Sequence, residues 1–133
     1  MAMDRLDIVA GVIFNENRSQ VLIAKRPEKA HQGGLWEFPG GKLEQGETPT
    51  FALKRELHEE LDLIILDCTH FITLEHDYSD VSIGLEVWTV DRWEGDVYGK
   101  EGQTIEWVER DKLSDRDFPA ANIPIIELLV TEV

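Results

Sequence analysis

Between Gly41 and Leu63 the chain reads GKLEQGETPTFALKRELHEELDL, and this segment restricts the fold more than any other. Thr48-Pro49 has the form of a helix start, a hydroxyl cap followed by a residue whose missing N–H costs nothing in the first turn. Good helix formers then run from Phe51 to Leu61, with Leu53, Leu57 and Leu61 repeating as an apolar stripe. Glu56, Glu59 and Glu60 stand at i, i+3 and i+4, so they share an adjoining face spanning only ~100°. The fold must bury the leucines while keeping these carboxylates crowded beside them. Like charges at such spacings destabilise a helix by roughly 0.2 to 0.5 kcal/mol per pair. Only Arg55 and Lys54 stand close by, so a compensating cation is expected, and crowded oxygen ligands suit Mg2+ or Mn2+. A solvated acidic face fits the same spacing, so spacing alone does not choose.

The remainder of the chain is mostly strand-like. Leu6 to Phe14 and Val21 to Ala24 flank the turn Asn15-Glu16-Asn17 and are expected to form a hairpin. A polar loop with Pro27 and Gly33-Gly34 leads to a short strand at Trp36 to Phe38, ended by Pro39-Gly40-Gly41. Thr69 to Leu74 and Val81 to Trp93 are predicted strands joined by Tyr78-Ser79-Asp80. A glycine-rich loop from Glu94 to Gln103 precedes a strand at Thr104 to Val108, and Ile123 to Val130 is a short terminal helix with Pro124 in its first turn. The order predicts a single α+β domain over residues 1–133, a sheet packed between helices.

Net charge is -14, from 27 acidic against 13 basic residues, which repels the backbone of a nucleic-acid polymer and excludes a long footprint on one. No stretch approaches the ~18 apolar residues of a membrane span, so no membrane partner is expected. Met1 to Asp7 lacks the basic start and apolar block of a secretory signal, which leaves cytoplasmic residence as the default expectation. The single Cys68 has no partner for an internal disulfide or a zinc-site spacing and is assigned no function. Composition does not report oligomeric state, and a monomer is the default expectation.

Gly41, five residues, Glu47, seven residues, Arg55-Glu56-Leu57, one residue, Glu59-Glu60: this pattern resembles the Nudix box, and its length and fixed spacing leave little room for chance agreement. Asp62 stands where the box has a helix-ending Gly. Asp tolerates the left-handed backbone better than most residues, so a penalty of ~1 kcal/mol or less is expected. The resemblance implies a Nudix fold, a mixed β-sheet in an α/β/α sandwich, and a Mg2+-dependent hydrolase with Mn2+ as substitute. It implies that Glu56, Glu59 and Glu60 hold the metals with Gly40, that Arg55 orients a box carboxylate, and that Glu56 acts as general base. Glu101 resembles the additional acid such enzymes supply from outside the box, as ligand or alternative base, although an exposed loop acid reads the same way.

A closer resemblance, to the MutT type of this family, covers nearly the whole chain. It rests on WEFPGGKLEQGETP at Trp36 to Pro49, DRWEGDVYGKEGQ at Asp91 to Gln103 and DFPAANIP at Asp117 to Pro124. It implies hydrolysis of 8-oxo-dGTP to 8-oxo-dGMP and pyrophosphate, with the base held by Asn122 and by backbone groups at Phe38. Arg26 then meets phosphate, and Ile8, Ala10, Tyr78 and Ile83 line the base pocket. An amide both donates and accepts, which suits a purine edge; a helix N-cap is the alternative role for Asn122. Val81 replaces a basic residue of the type. ADP-ribose or dinucleoside polyphosphate substrates need the same metal helix and stay open, whereas non-catalytic binding modules lose the carboxylates kept here at Glu47, Glu56, Glu59 and Glu60.

Overall fold

A computed structural model describes residues 5–29 and 33–131. The described residues form seven strands: β1 (Arg5–Ile13), β2 (Gln20–Lys25), β3 (Trp36–Glu37), β4 (Gly40–Lys42), β5 (Ile64–Asp77), β6 (Ser82–Glu94) and β7 (Ile105–Glu109). Helix α1 (Pro49–Leu61) follows β4 and helix α2 (Ile123–Thr131) closes the described chain. The α+β expectation is borne out, with one difference: the strands form two sheets. One is mixed, in the order β4-β1-β6-β5, and the other is antiparallel, in the order β3-β2-β7.

The expected hairpin of β1 with β2 does not form. β1 runs parallel to β6 from Arg5↔Ser82 to Ile13↔Val90 and antiparallel to β4 from Ile8↔Lys42 to Ala10↔Gly40, so both of its edges are taken. Only the bridge Phe14↔Val21 survives at the turn, and β2 pairs with β3 and β7. A single hairpin partner could not supply what β1 needs, because Val9 to Ile13 are buried on both faces and such a strand sits inside a sheet.

Side-chain alternation along β1 and β2 divides the core between the helices. Val9, Ile13 and Leu22 pack with Leu53, Leu57 and Leu61 of α1, while Ala10, Val12, Val21 and Ile23 pack with Ile125, Ile126 and Leu129 of α2. The leucine stripe is thus buried as its spacing predicts, each of the three fully excluded from solvent. At the start of α1 the Thr48 hydroxyl accepts the Phe51 N–H at 3.3 Å, and Pro49 occupies the first turn.

Asp62 ends the helix in the left-handed region, at φ 59 and ψ 34. Its N–H donates to the His58 carbonyl at 3.1 Å, and the Leu63 N–H reaches back to the Leu57 carbonyl at 3.3 Å. These bonds satisfy carbonyls left open at a helix end, the task the box normally gives to Gly. Lys100 Nζ lies 3.7 Å from Asp62 Oδ1 and offsets the added negative charge. Leu57→Ala is expected to lower stability by about 2 to 5 kcal/mol, measured by urea denaturation, because the helix is clamped between sheet and loops and cannot collapse into the cavity.

Candidate active site

Helix α1 presents its carboxylates toward β4, and Arg55 organises them. Its Nε donates to Glu47 Oε2 at 2.7 Å and Nη2 to Glu47 Oε1 at 2.9 Å, a fork meeting a carboxylate. Nη1 reaches Glu56 Oε1 at 2.9 Å and Glu59 Oε2 at 3.5 Å, and Nη2 reaches the Lys42 carbonyl at 3.3 Å. Glu47 is itself fixed, since its side chain is 9% exposed and accepts the Glu44 N–H at 2.8 Å. The hydrogen bonds from Arg55 hold the Glu47 carboxyl below the usual carboxylate range, and Glu47 raises Arg55 in turn. Sequence reasoning gave Glu47 no role beyond its place in the box.

Gly41 explains the close approach of β4. A Cβ there would stand 2.4 Å from the Glu56 carboxyl carbon, so any side chain displaces that carboxylate. A Cβ on Gly40 would meet the Val9 carbonyl at 2.0 Å, which shows how tightly β4 lies on β1.

The loop between β6 and β7 docks on the C-terminal end of α1, where carbonyls lack intrahelical partners. The Lys100 N–H donates to the Glu60 carbonyl at 2.9 Å, Gln103 Nε2 to the same oxygen at 3.0 Å, and the Tyr98 N–H to the Leu61 carbonyl at 3.3 Å. Docking brings Glu101 within electrostatic reach of Glu60, although Glu101 itself stays exposed. Burial, followed by the charges of Glu56, Glu37 and Glu101 and a hydrogen bond with Glu56, pushes Glu60 up to about 9.

A partly buried carboxyl whose pKa is raised by burial and by neighbouring carboxylates has the chemistry of a divalent cation site with oxygen donors. Glu56, Glu60, Glu59 and the Gly40 backbone are the groups able to contribute. Among the described residues no three metal-ligating side chains already converge on one point. Glu56 and Glu60 meet, whereas Glu59 is half-exposed and drawn to Arg55.

Next to this cluster lies a cavity of about 250 Å3. It brings together every residue assigned to substrate binding from sequence: Ile8, Ala10, Arg26, Phe38, Tyr78, Ile83 and Asn122. β1 connects the two places, since Ile8 and Ala10 face the cavity while Val9 between them packs under α1 and pairs with Gly41. Phe38 is buried and stacked on Phe118 with ring centroids 5.4 Å apart. Asn122 belongs to a 3-10 turn, Ala120–Asn122, that runs into α2. No side chain caps that turn, and the Asn122 side-chain amide has no hydrogen-bond partner among the described residues, so the N-cap alternative finds no support.

Residues 9–128 match the family model described as the NUDIX domain. The chain belongs to the Nudix family. Over 127 residues this Nudix chain is 45% identical to an 8-oxo-dGTP diphosphatase of Escherichia coli, covering 96% of this chain and 98% of that one. A CTP pyrophosphohydrolase of the same organism is 33% identical over 125 residues, covering 94% and 91%. Among solved structures, a MutT from work on Aliivibrio salmonicida and Vibrio cholerae superposes with a TM-score of 0.85 at 36% identity, covering 98% of this chain and all of that one.

Glu37 and Asp80 also line the cavity of this Nudix chain and were not foreseen. Glu37 bonds Arg26 at 2.5 Å; burial raises its pKa and Arg26 opposes the rise. An acid between Trp36 and Phe38, in a strand otherwise aromatic, was the signal available for it.

The raised Glu60 has a consequence for stability. Across the interval from the ordinary 4.5 to about 9 the folded state keeps a proton that the unfolded state has lost, so stability falls as pH rises through it. Urea midpoints of the metal-free protein are expected to decline from about pH 5 to about pH 9, and millimolar Mg2+ to flatten the alkaline part of that slope by taking the proton's place. Superimposable profiles with and without Mg2+ would contradict a cation site here.

Proposed function

We infer that this chain hydrolyses 8-oxo-dGTP to 8-oxo-dGMP and pyrophosphate with the help of a divalent cation, Mg2+ being our assignment. The observation that carries the reading is the placement of one cavity, lined by Asn122, Arg26 and Phe38, directly beside the carboxylates of α1 across β1 and β4. Homology supports it, since the 8-oxo-dGTP diphosphatase relative is aligned over nearly its full length. The cation supplies charge neutralisation between a -14 protein and a triphosphate and polarises the phosphorus to be attacked.

The protein's own residues do the rest. Glu56, held by Arg55 and by the absence of a side chain at Gly41, accepts a proton from the attacking water. The new bond forms between water oxygen and the β-phosphorus, and the bond from that phosphorus to the bridging oxygen breaks, which leaves the bridging oxygen on the nucleoside monophosphate. Glu101, in the docked loop between β6 and β7, is the alternative acceptor. Arg26, positioned by Glu37, meets the phosphate chain, and the buried Phe38 ring fixes the backbone groups that border the base.

Turnover with Mg2+ across 8-oxo-dGTP, dGTP, CTP, ADP-ribose and diadenosine tetraphosphate tests the assignment; a wild type without preference for the oxidised base overturns it. Glu56→Gln is expected to fold normally and lose nearly all turnover, and activity within about tenfold of wild type would refute its role. Asn122→Ala removes the amide that matches the base and is expected to lose about 1 to 3 kcal/mol of binding. The kcat/KM ratio of 8-oxo-dGTP over dGTP then falls by roughly one to two orders of magnitude. An unaltered ratio would remove Asn122 from base reading.

A further inference from the structure

The cavity wall is assembled from pieces far apart in sequence, and one hydrogen bond joins two of them. The connection between β5 and β6 carries Tyr78, whose N–H donates to the Val81 carbonyl at 2.8 Å, closing a tight turn. The other piece is Pro119 to Asn122, the entry to α2. The first N–H groups of a helical run have no partner within it. Here the Asn122 N–H takes the Pro119 carbonyl at 3.0 Å and the Ile123 N–H takes the Ala120 carbonyl. Ala121 is buried, and its N–H donates instead to the Tyr78 hydroxyl at 2.9 Å. Pro119, at the cap position, makes no side-chain hydrogen bond. Tyr78 thus supplies a cap from 43 residues away in sequence, and the capped residue immediately precedes Asn122.

Resting on the base-pocket reading above, we propose that Tyr78 is a positioning residue for specificity: its hydroxyl, through the Ala121 N–H, sets where the Asn122 amide stands in the cavity. A buried N–H left without an acceptor is unfavourable enough that its segment shifts to find another. The segment Pro119 to Asn122 has the freedom to do so, because no side-chain cap fixes it, and any shift carries Asn122 with it. The ring of Tyr78 fills the wall in either case; only the hydroxyl sets the position. Discrimination that depends on an amide matching a base edge is sensitive to displacements of this kind, whereas apolar contact with the ring is not.

The test is Tyr78→Phe in the full chain, which keeps the ring and deletes the oxygen. The kcat/KM ratio of 8-oxo-dGTP over dGTP is expected to fall about five- to tenfold, entering through KM for 8-oxo-dGTP more than through kcat. Ile126→Val, a mild change on the buried face of α2, serves as a stability-matched control and keeps the wild-type ratio. Amide exchange gives a readout independent of turnover: in wild type the Ala121 N–H exchanges at least about tenfold more slowly than that of exposed Ala120, and Tyr78→Phe abolishes the difference. If wild type prefers the oxidised base and Tyr78→Phe keeps the ratio within twofold, the positioning role is refuted while the function stands. An Ala121 amide unprotected in wild type refutes it as well. A wild type lacking the preference removes the base-pocket reading and this role together.

Discussion

Among the described residues Arg55 is the one strong cation inside the acidic face of α1, and the geometry of that face follows from how it is held. Glu47, from the loop before the helix, takes two of its N–H groups, which leaves Nη1 for Glu56 and Glu59. A guanidinium presents its donors in a rigid plane, so fixing one edge fixes the other, and lysine could not transmit the same constraint. Arg55 therefore offsets the charge of Glu56 and Glu59, whereas burial first and the neighbouring carboxylates second raise the proton affinity of Glu60. The cluster is acidic by composition but poised by one ion-pair network.

The end of the same helix recruits the second acidic element. Backbone and amide donors of the loop between β6 and β7 satisfy the Glu60 and Leu61 carbonyls, and they bring Glu101 into the field of Glu60. Donors belong at a helix C-terminus because the carbonyl end carries partial negative charge. Asp62 takes the left-handed conformation at modest cost, and Lys100 from that loop lies close to its carboxylate. The departure from Gly at this box position and the docking of the loop are thus parts of one local arrangement.

β1 joins the carboxylate cluster to the cavity. Its period of two sends Val9 under α1 and Ile8 and Ala10 into the cavity, and its pairing with β4 sets Gly40 and Gly41 beside them. One strand therefore determines the spacing between the cavity and the carboxylates. Glu37 lies in both environments, bonded to Arg26 at the cavity and felt by Glu60 in the cluster.

The sequence by itself determined helix α1, its buried leucines, its carboxylate face and its cap at Thr48, because these depend on interactions within about four residues along the chain. The family resemblance in the box and in DFPAAN added the list of pocket residues, and all seven line one cavity. The pairing of β1 escaped a local reading: a turn at Asn15 to Asn17 promises a hairpin, yet a strand buried on both faces needs two partners, and β4 and β6 come from elsewhere in the chain. For the same reason the choice of Glu47 as the box carboxylate that Arg55 grips with two donors, the docking of the Glu101 loop and the bond from Tyr78 to Ala121 were decided by tertiary structure. Each joins groups whose proximity no periodicity encodes, since it exists only after sheets and helices have closed the loops between them.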